Sequence, residues 1–195
     1  GVLLSANWLI YVWAVTNDRV VDASLGYFIN PLVTVLLGVL VLHERLRPLQ
    51  WAAVIAGAVS VLVLVLGYGS VPWVSLGLAA SFGTYGLLKK QVGLGAVEAL
   101  TAETFAVVPL ALGGMGWALV AGELDFPAAP ISMKLLLLAA GAVTAAPLLA
   151  FGVATNRIPL SIIGLLQYLT PIIQFILGVF VFGEEVPPAR LAGFA

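Results

Sequence analysis

SLGYFINPLVTVLLGVLVLHERLRP occupies residues 24–48, and GLLQYLTPIIQFILGVFVFGEEVPP occupies residues 164–188. At a gap-free offset of 140 positions, Pro31 aligns with Pro171, Leu37 with Leu177, Gly38 with Gly178, Val39 with Val179, Val41 with Val181, Glu44 with Glu184 and Pro48 with Pro188. The match extends backward, AVTND at 14–18 lying beside ATNRI at 154–158. A chain that repeats a proline, neighbouring polar residues and a glutamate within apolar surroundings is repeating a structural unit.

The surroundings are apolar throughout. Hydrophobic residues make up 62% and charged residues 9% of the 195 positions, and mean hydropathy is +1.15. Soluble domains hold about 45–50% apolar and about 25% charged residues. A soluble fold cannot hide this much apolar surface. Apolar runs long enough for a membrane helix, which needs about 20 residues, recur along most of the chain. Runs such as WAAVIAGAVSVLVLVLG at 51–67 are apolar on every face, whereas a membrane barrel needs alternating strands. The expected class is therefore an all-α, polytopic integral membrane protein.

A net charge of -1 argues against nucleic acid, which is bound through basic patches. Without cysteine there is no disulfide, thiolate nucleophile or cysteine metal site, and the lone His43 falls in a loop. No HExxH or GxSxG motif and no pair of acids within one cavity points to an enzyme. No cofactor or metal is expected, and the expected partners are the lipid bilayer and a small-molecule solute.

Breaks at charge, Pro and Gly clusters place spans at about 1–16, 21–42, 49–67, 72–88, 99–121, 134–153 and 160–182, with a further helix starting near 189. Cytoplasmic loops carry excess Lys and Arg. With every segment spanning, Arg45, Arg47, Lys89, Lys90 and Arg157 fall on one side and Arg19, Lys134 and Arg190 on the other. That makes the Arg45 side cytoplasmic, together with the loops carrying Lys89 and Arg157. Five crossings separate the span at 21–42 from its echo at 160–182, so the copies run in opposite directions. Inverted repeats are a recurring plan of secondary transporters. The helices at 72–88 and 99–121 have no first-half partners here, so a ten-helix, five-plus-five inverted repeat is expected. About seven and a half of those helices are present. On this reading the chain is a fragment lacking the first two helices and most of the last. Residues 1–67 then hold helices three to five of the first repeat, and 72–195 hold the second.

Helical spacing puts Tyr27, Asn30, Pro31, Thr34 and Gly38 on one face, and Gln167, Thr170, Pro171, Gln174 and Gly178 occupy the same positions of the second copy. Each proline is expected to break its helix by freeing the carbonyl four residues earlier, that of Tyr27 or Gln167. Amides facing lipid would cost about 2–7 kcal/mol each, so these faces are expected to look inward, onto a cavity or into interhelical hydrogen bonds. Asn7, Trp8 and Tyr11 form a further inward group whose aromatics offer a stacking surface, and Tyr168 is a weaker candidate. Glu103 is the one acid placed inside a span. A charge at mid-membrane costs about 2.5–3.5 kcal/mol on insertion scales, so it is expected to relay a proton, to pair with Lys89 or Lys90, or to snorkel. The two lysines themselves read as topology signals, and Glu44 and Glu184 as caps or loop anchors.

ANWLIYVWAVTN, ASLGYFINPLV and LGVLVLHERLRPLQW, followed in order by YGLLKK, EALTAETFAVVPLA, AAGAVTAAPLLAF and GLLQYLTPIIQFILGVFVFGEE, resemble the RarD branch of the EamA family in the drug/metabolite transporter superfamily. The resemblance covers the whole chain. It implies ten helices as a five-plus-five inverted repeat with cytoplasmic termini in the plasma (bacterial inner) membrane. It also implies a central cavity built by the helices at 1–16, 21–42, 134–153 and 160–182, with Asn7, Trp8, Tyr27, Asn30, Gln167, Tyr168 and Thr170 at matching motif positions. The expected activity is a permease moving a small organic solute or drug-like metabolite outward by alternating access. A non-transporting membrane scaffold is the alternative.

Overall fold

The computed structural model describes residues 1–68, 71–122, 126, 129–170, 172, 173 and 180. Among them every regular element is a helix: α1 (Val2–Thr16), α2 (Val20–Leu40), α3 (Pro48–Tyr68), α4 (Trp73–Val92), α5 (Ala96–Val120), α6 (Ile131–Arg157) and α7 (Leu160–Gln167). Four segments, Val20–Leu40, Pro48–Leu66, Ala96–Val120 and Ile131–Arg157, are long and apolar enough to cross a membrane.

The breaks have local causes. Asp18 takes a positive φ of 57° between α1 and α2. Pro48 opens α3, where its missing N–H costs nothing. α4 ends on Gly93 at φ 65°, whose N–H returns to the Lys89 carbonyl, a left-handed stop that glycine adopts without a Cβ clash. Pro159 forces its predecessor Ile158 into extended backbone (φ -127°, ψ 157°), which ends α6 and lets α7 begin one residue later. Pro31 does not break its helix: α2 continues through it, with the ring buried. That corrects the expectation of a break there. Pro171, paired with it in the repeat, lies outside the described residues.

α2 is the central element. One side packs on α4, where Gly26 faces Leu78 and Gly83 receives Val33. The other packs on α7, where Gly164 lies against Val35 and the Pro31 carbonyl. Leu25, Ile29 and Ala79 form one buried cluster with Val61, Leu64 and Val65 of α3 against it. Leu87, Leu160 and Ile163 form another, joining α4 to α7. The outer helices keep apolar surface: Leu62 and Leu66 of α3, Phe105 and Trp117 of α5, and Leu136 and Leu138 of α6 are all exposed. With no polar face to offer water, these helices suit contact with lipid.

Candidate functional site

A cavity of about 320 Å³ opens between α1, α2, α4 and α6. α1 contributes Leu4, Asn7, Trp8 and Tyr11, and α2 contributes Ala23, Gly26, Tyr27 and Asn30. Both sets follow i, i+3, i+4, i+7, the spacing of one helical face. Leu78 and Phe82 of α4 close one wall, and Thr144, Pro147 and Leu148 of α6 close the opposite one.

The α1–α2 wall is aromatic. Trp8 and Tyr11 meet edge to face at 5.9 Å and 83°, and Tyr11 and Tyr27 at 6.3 Å and 68°. These are favourable quadrupole geometries. Trp8 and Tyr27 keep 47% and 41% of their surface exposed, which leaves ring area for a guest. Asn7 is tied down from behind, its Nδ2 donating to the Leu78 carbonyl at 2.9 Å and to Ser81 Oγ at 2.8 Å. Asn30 Nδ2 donates to Gln167 Oε1 at 3.1 Å. Its own Oδ1 is buried and has no hydrogen-bond partner among the described residues. Among the described residues no lysine, arginine, aspartate, glutamate or histidine lines the cavity.

Of the residues singled out in the sequence, Asn7, Trp8, Tyr11, Tyr27 and Asn30 are brought together here. Thr34 and Gln167 are not on the wall. They meet in the α2–α7 seam, Thr34 Oγ1 donating to Gln167 Oε1 at 3.4 Å. Tyr168 points elsewhere: its hydroxyl is buried without a hydrogen-bond partner among the described residues, against Gly57 of α3, where any Cβ would collide with it. Thr170 is exposed, and Gln174 lies outside the described residues. The apolar walls at Leu4, Ala23, Gly26, Leu78, Phe82, Pro147 and Leu148 were missed because they carry no polar signal, and Thr144 because its hydroxyl stands alone in its stretch of α6, donating to the Ala140 carbonyl. The repeat offset holds a signal. Leu4, Asn7 and Trp8 stand 140 positions before Thr144, Pro147 and Leu148, so α1 and α6 face the cavity in matching register.

Four charged side chains, Lys89, Glu103, Lys90 and Glu44, sit away from it. Lys89 Nζ donates to Glu103 Oε1 at 3.0 Å and to Tyr85 Oη at 2.9 Å, and Tyr85 Oη donates to Glu103 Oε2 at 3.0 Å. Glu103 is therefore paired, one of the three states expected from the sequence. Neither lysine is merely a loop charge, for Lys90 Nζ donates to the Thr155 and Ile158 carbonyls at 3.1 and 2.7 Å, at the C-terminal, negative end of α6. Glu44 accepts the N–H of Leu160 at 2.7 Å and of Ser161 at 2.8 Å. Partial burial would raise its carboxyl, but hydrogen bonds from Ser161 and Leu160, with the Lys90 charge, hold it below the ordinary carboxylate value. Glu184 lies outside the described residues.

Residues 1–66 match the EamA-like transporter family. The chain is 54% identical over 193 residues to the RarD protein of Streptomyces exfoliatus, covering 99% of this chain and 61% of that protein. It is 45% identical to the Bacillus subtilis transporter YojE, across 100% of this chain and 65% of that one. To the RarD protein of Escherichia coli K12 it is 42% identical, across 100% of this chain and 66% of that one. The chain thus spans somewhat under two thirds of the length of these relatives. No solved structure matches it.

Proposed function

The chain is a relative of the RarD proteins of the EamA-like transporter family, and from that premise we propose that it belongs to a secondary permease. The permease moves a small organic solute across the bacterial inner membrane, outward, by alternating access. The apolar outer helices and the transporter names of the relatives support a multi-pass membrane transporter. Direction, substrate and mechanism are our reading.

The observation that carries it is the aromatic cavity, with no charged side chain among the described residues, lined in matching register by α1 and α6. A site shared by two repeats needs equivalent positions of both to face one space. The register at Leu4 and Thr144, Asn7 and Pro147, Trp8 and Leu148 has that form. It supports a ten-helix, five-plus-five inverted repeat, with residues 1–67 in the first half and 72–195 in the second. The orientation, with the Arg45, Lys89 and Arg157 side in the cytoplasm, rests instead on the excess of Lys and Arg there. Asn against Pro makes the two halves chemically unequal. Aromatic faces on α1 and α2 suit a planar or amphipathic guest, with Asn30 as a polar side chain on the same wall.

The test is solute flux in vesicles carrying the reconstituted protein. Tyr27→Ala and Asn30→Ala should each cut flux of a transported solute about tenfold, the effect of losing a contact near 1.4 kcal/mol, with membrane insertion unchanged. Full flux in both variants overturns the assignment of this cavity. The anchoring of Asn7 and Asn30 by neighbouring helices favours a second reading, a packed scaffold with no pathway. Cysteines placed at 23, 27 and 30 that react with a water-soluble thiol reagent from neither side would favour that reading.

A further inference from the structure

We infer that the Lys89–Glu103–Tyr85 cluster is a carboxylate-binding site that takes its ligand together with a proton, by exchange of ion-pair partners. The inference rests on the permease reading and names a substrate class for it.

The cluster is a closed ring of hydrogen bonds in an apolar setting. The Lys89 side chain is 3% exposed and that of Glu103 17%, with Nζ and Oε1 3.0 Å apart. The lysine head stands 5.2 Å over the Tyr85 ring, and Tyr85 stacks on Phe151 at 6.1 Å. Space for the lysine stem comes from Gly152, where a Cβ would lie 2.9 Å from Lys89 Cε. A charge in such a place is expensive unless paired. Glu103 lies on α5, one of the helices long and apolar enough to cross a membrane, and ionisable side chains on such segments tend to mark a solute or proton pathway.

The pair is not sealed. Glu103 lies on the wall of a cavity of about 530 Å³ between α1, α5 and α6, which shares Leu4, Trp8, Thr144 and Leu148 with the central cavity. On its other side Glu103, Lys89 and Tyr85 line a space of about 360 Å³. Leu78, Phe82, Tyr85 and Lys89 form one stripe along α4, leading from the central cavity to the ammonium. No charged side chain among the described residues lines the central cavity, so the first cation along this stripe is Lys89.

One ammonium cannot neutralise two carboxylates in these surroundings. Around Glu103, α4 offers Lys89 and Tyr85; Lys90 of the same helix is turned to the α6 carbonyls. α1 faces it with Gly1 and Ser5, and α6 with Gly141 and Thr144, none of which has an ionisable side chain. The exchange is therefore coupled: R–COO⁻ enters, one proton from water goes to a Glu103 oxygen, and Lys89 passes its ion pair from Glu103 to the solute. No covalent bond to carbon changes and the net charge of the site stays zero.

Benzoate is the probe, with benzamide and benzylamine as controls, titrated against the purified protein in nanodiscs by thermal shift at pH 6, 7 and 8. Uptake of one proton per carboxylate requires benzoate affinity to rise about tenfold for each unit the pH falls. Neither control should bind comparably. Glu103→Gln should bind benzoate without pH dependence, and Lys89→Met should not bind it at any pH. If Lys89→Met does not fold, the charge-free pair Lys89→Met with Glu103→Gln takes its place, with the same loss expected. No benzoate binding to the wild type, equal binding of benzamide, or an unchanged pH slope in Glu103→Gln overturns the site. Proton-linked benzoate binding without flux of benzoate in vesicles overturns the permease reading and leaves the site. Flux of a neutral solute without benzoate binding does the reverse.

Discussion

Replacing Glu44 by alanine should loosen the seam between α2 and α7, and the expected size follows from the hydrogen bonds lost. α7 starts after Pro159, whose side chain has no oxygen with which to cap the helix. Its first two N–H groups, those of Leu160 and Ser161, are instead satisfied by the two carboxylate oxygens of Glu44, at 2.7 and 2.8 Å, from more than a hundred residues earlier. Losing a cap costs about 1 kcal/mol, and a hydrogen bond to a charged group contributes about 1.5–3 kcal/mol. Partial water access on this rim reduces the sum, so about 2 kcal/mol is expected for Glu44→Ala. At about 2–4 °C per kcal/mol for a chain of this size, the thermal midpoint in detergent should fall by about 4–8 °C. Glu44→Gln keeps one neutral acceptor and should fall between. The pH dependence has a definite sign. The folded carboxyl titrates below its ordinary value, so its contribution is complete above the ordinary carboxylate range and is lost as pH falls through the depressed value. The gap between wild type and Glu44→Ala should therefore close under acid conditions. A gap under 0.5 kcal/mol at neutral pH, on the order of a surface substitution, would refute the capping argument.

Two glycines in helix interiors should respond in opposite directions. At Gly164 a Cβ would lie 2.7 Å from Val35 Cγ2 and 2.9 Å from the Pro31 carbonyl oxygen, so Gly164→Ala must part α2 from α7 and should lower stability by about 1–3 kcal/mol. At Gly113 a Cβ would meet nothing within 4 Å among the described residues, and Gly113→Ala should raise stability by up to about 1 kcal/mol through helix propensity. Thermal unfolding of both variants checks the pair. Tyr168→Phe removes a buried hydroxyl that has no hydrogen-bond partner among the described residues, and should be neutral or stabilising by about 1 kcal/mol. A loss above 1 kcal/mol in that measurement would mean that the hydroxyl is satisfied. Phe82→Ala opens the cavity wall that touches Tyr85 and Phe151 at ring distances of 5.9 and 5.4 Å, and should cost about 3–5 kcal/mol.

The helical membrane class was legible in the sequence because composition alone excludes the alternatives, and the helix boundaries follow from prolines and glycines whose backbone limits are local. Five cavity residues were also legible, since Asn7, Trp8, Tyr11, Tyr27 and Asn30 are polar or aromatic at helical spacing. What failed was the assumption that a polar face is uniform along its helix. Asn30 and Thr34 are one turn apart on α2 and both donate to Gln167 of α7, yet Asn30 still lines the cavity whereas Thr34 is covered in the seam. Where one helix crosses another depends on which small residues let them touch. Here these are Gly164 against Pro31 and Val35, and Gly38 against Ser161. A sequence pattern gives the face of a helix but not the height at which a neighbour covers it.

The same limit explains why Glu44 and the lysines changed meaning. Their side chains satisfy backbone groups of elements far away in sequence: Glu44 the start of α7, Lys90 the end of α6. The α6–α7 corner carries an extended Ile158 and a proline at the cap, so it cannot complete its own hydrogen bonds. An acid from the α2–α3 loop holds its positive end and a base from α4 its negative end. Two charges that would be costly deeper in the apolar slab thus do structural work at its rim. Lys89, one residue from Lys90 but turned toward α5, is a buried charge, and Glu103 and Tyr85 hold it. Consecutive lysines on one helix therefore point to different tasks. Lys90→Ala should lower the thermal midpoint and leave benzoate binding unchanged, whereas Lys89→Met should abolish benzoate binding. Equal loss of benzoate binding in both variants would refute that division.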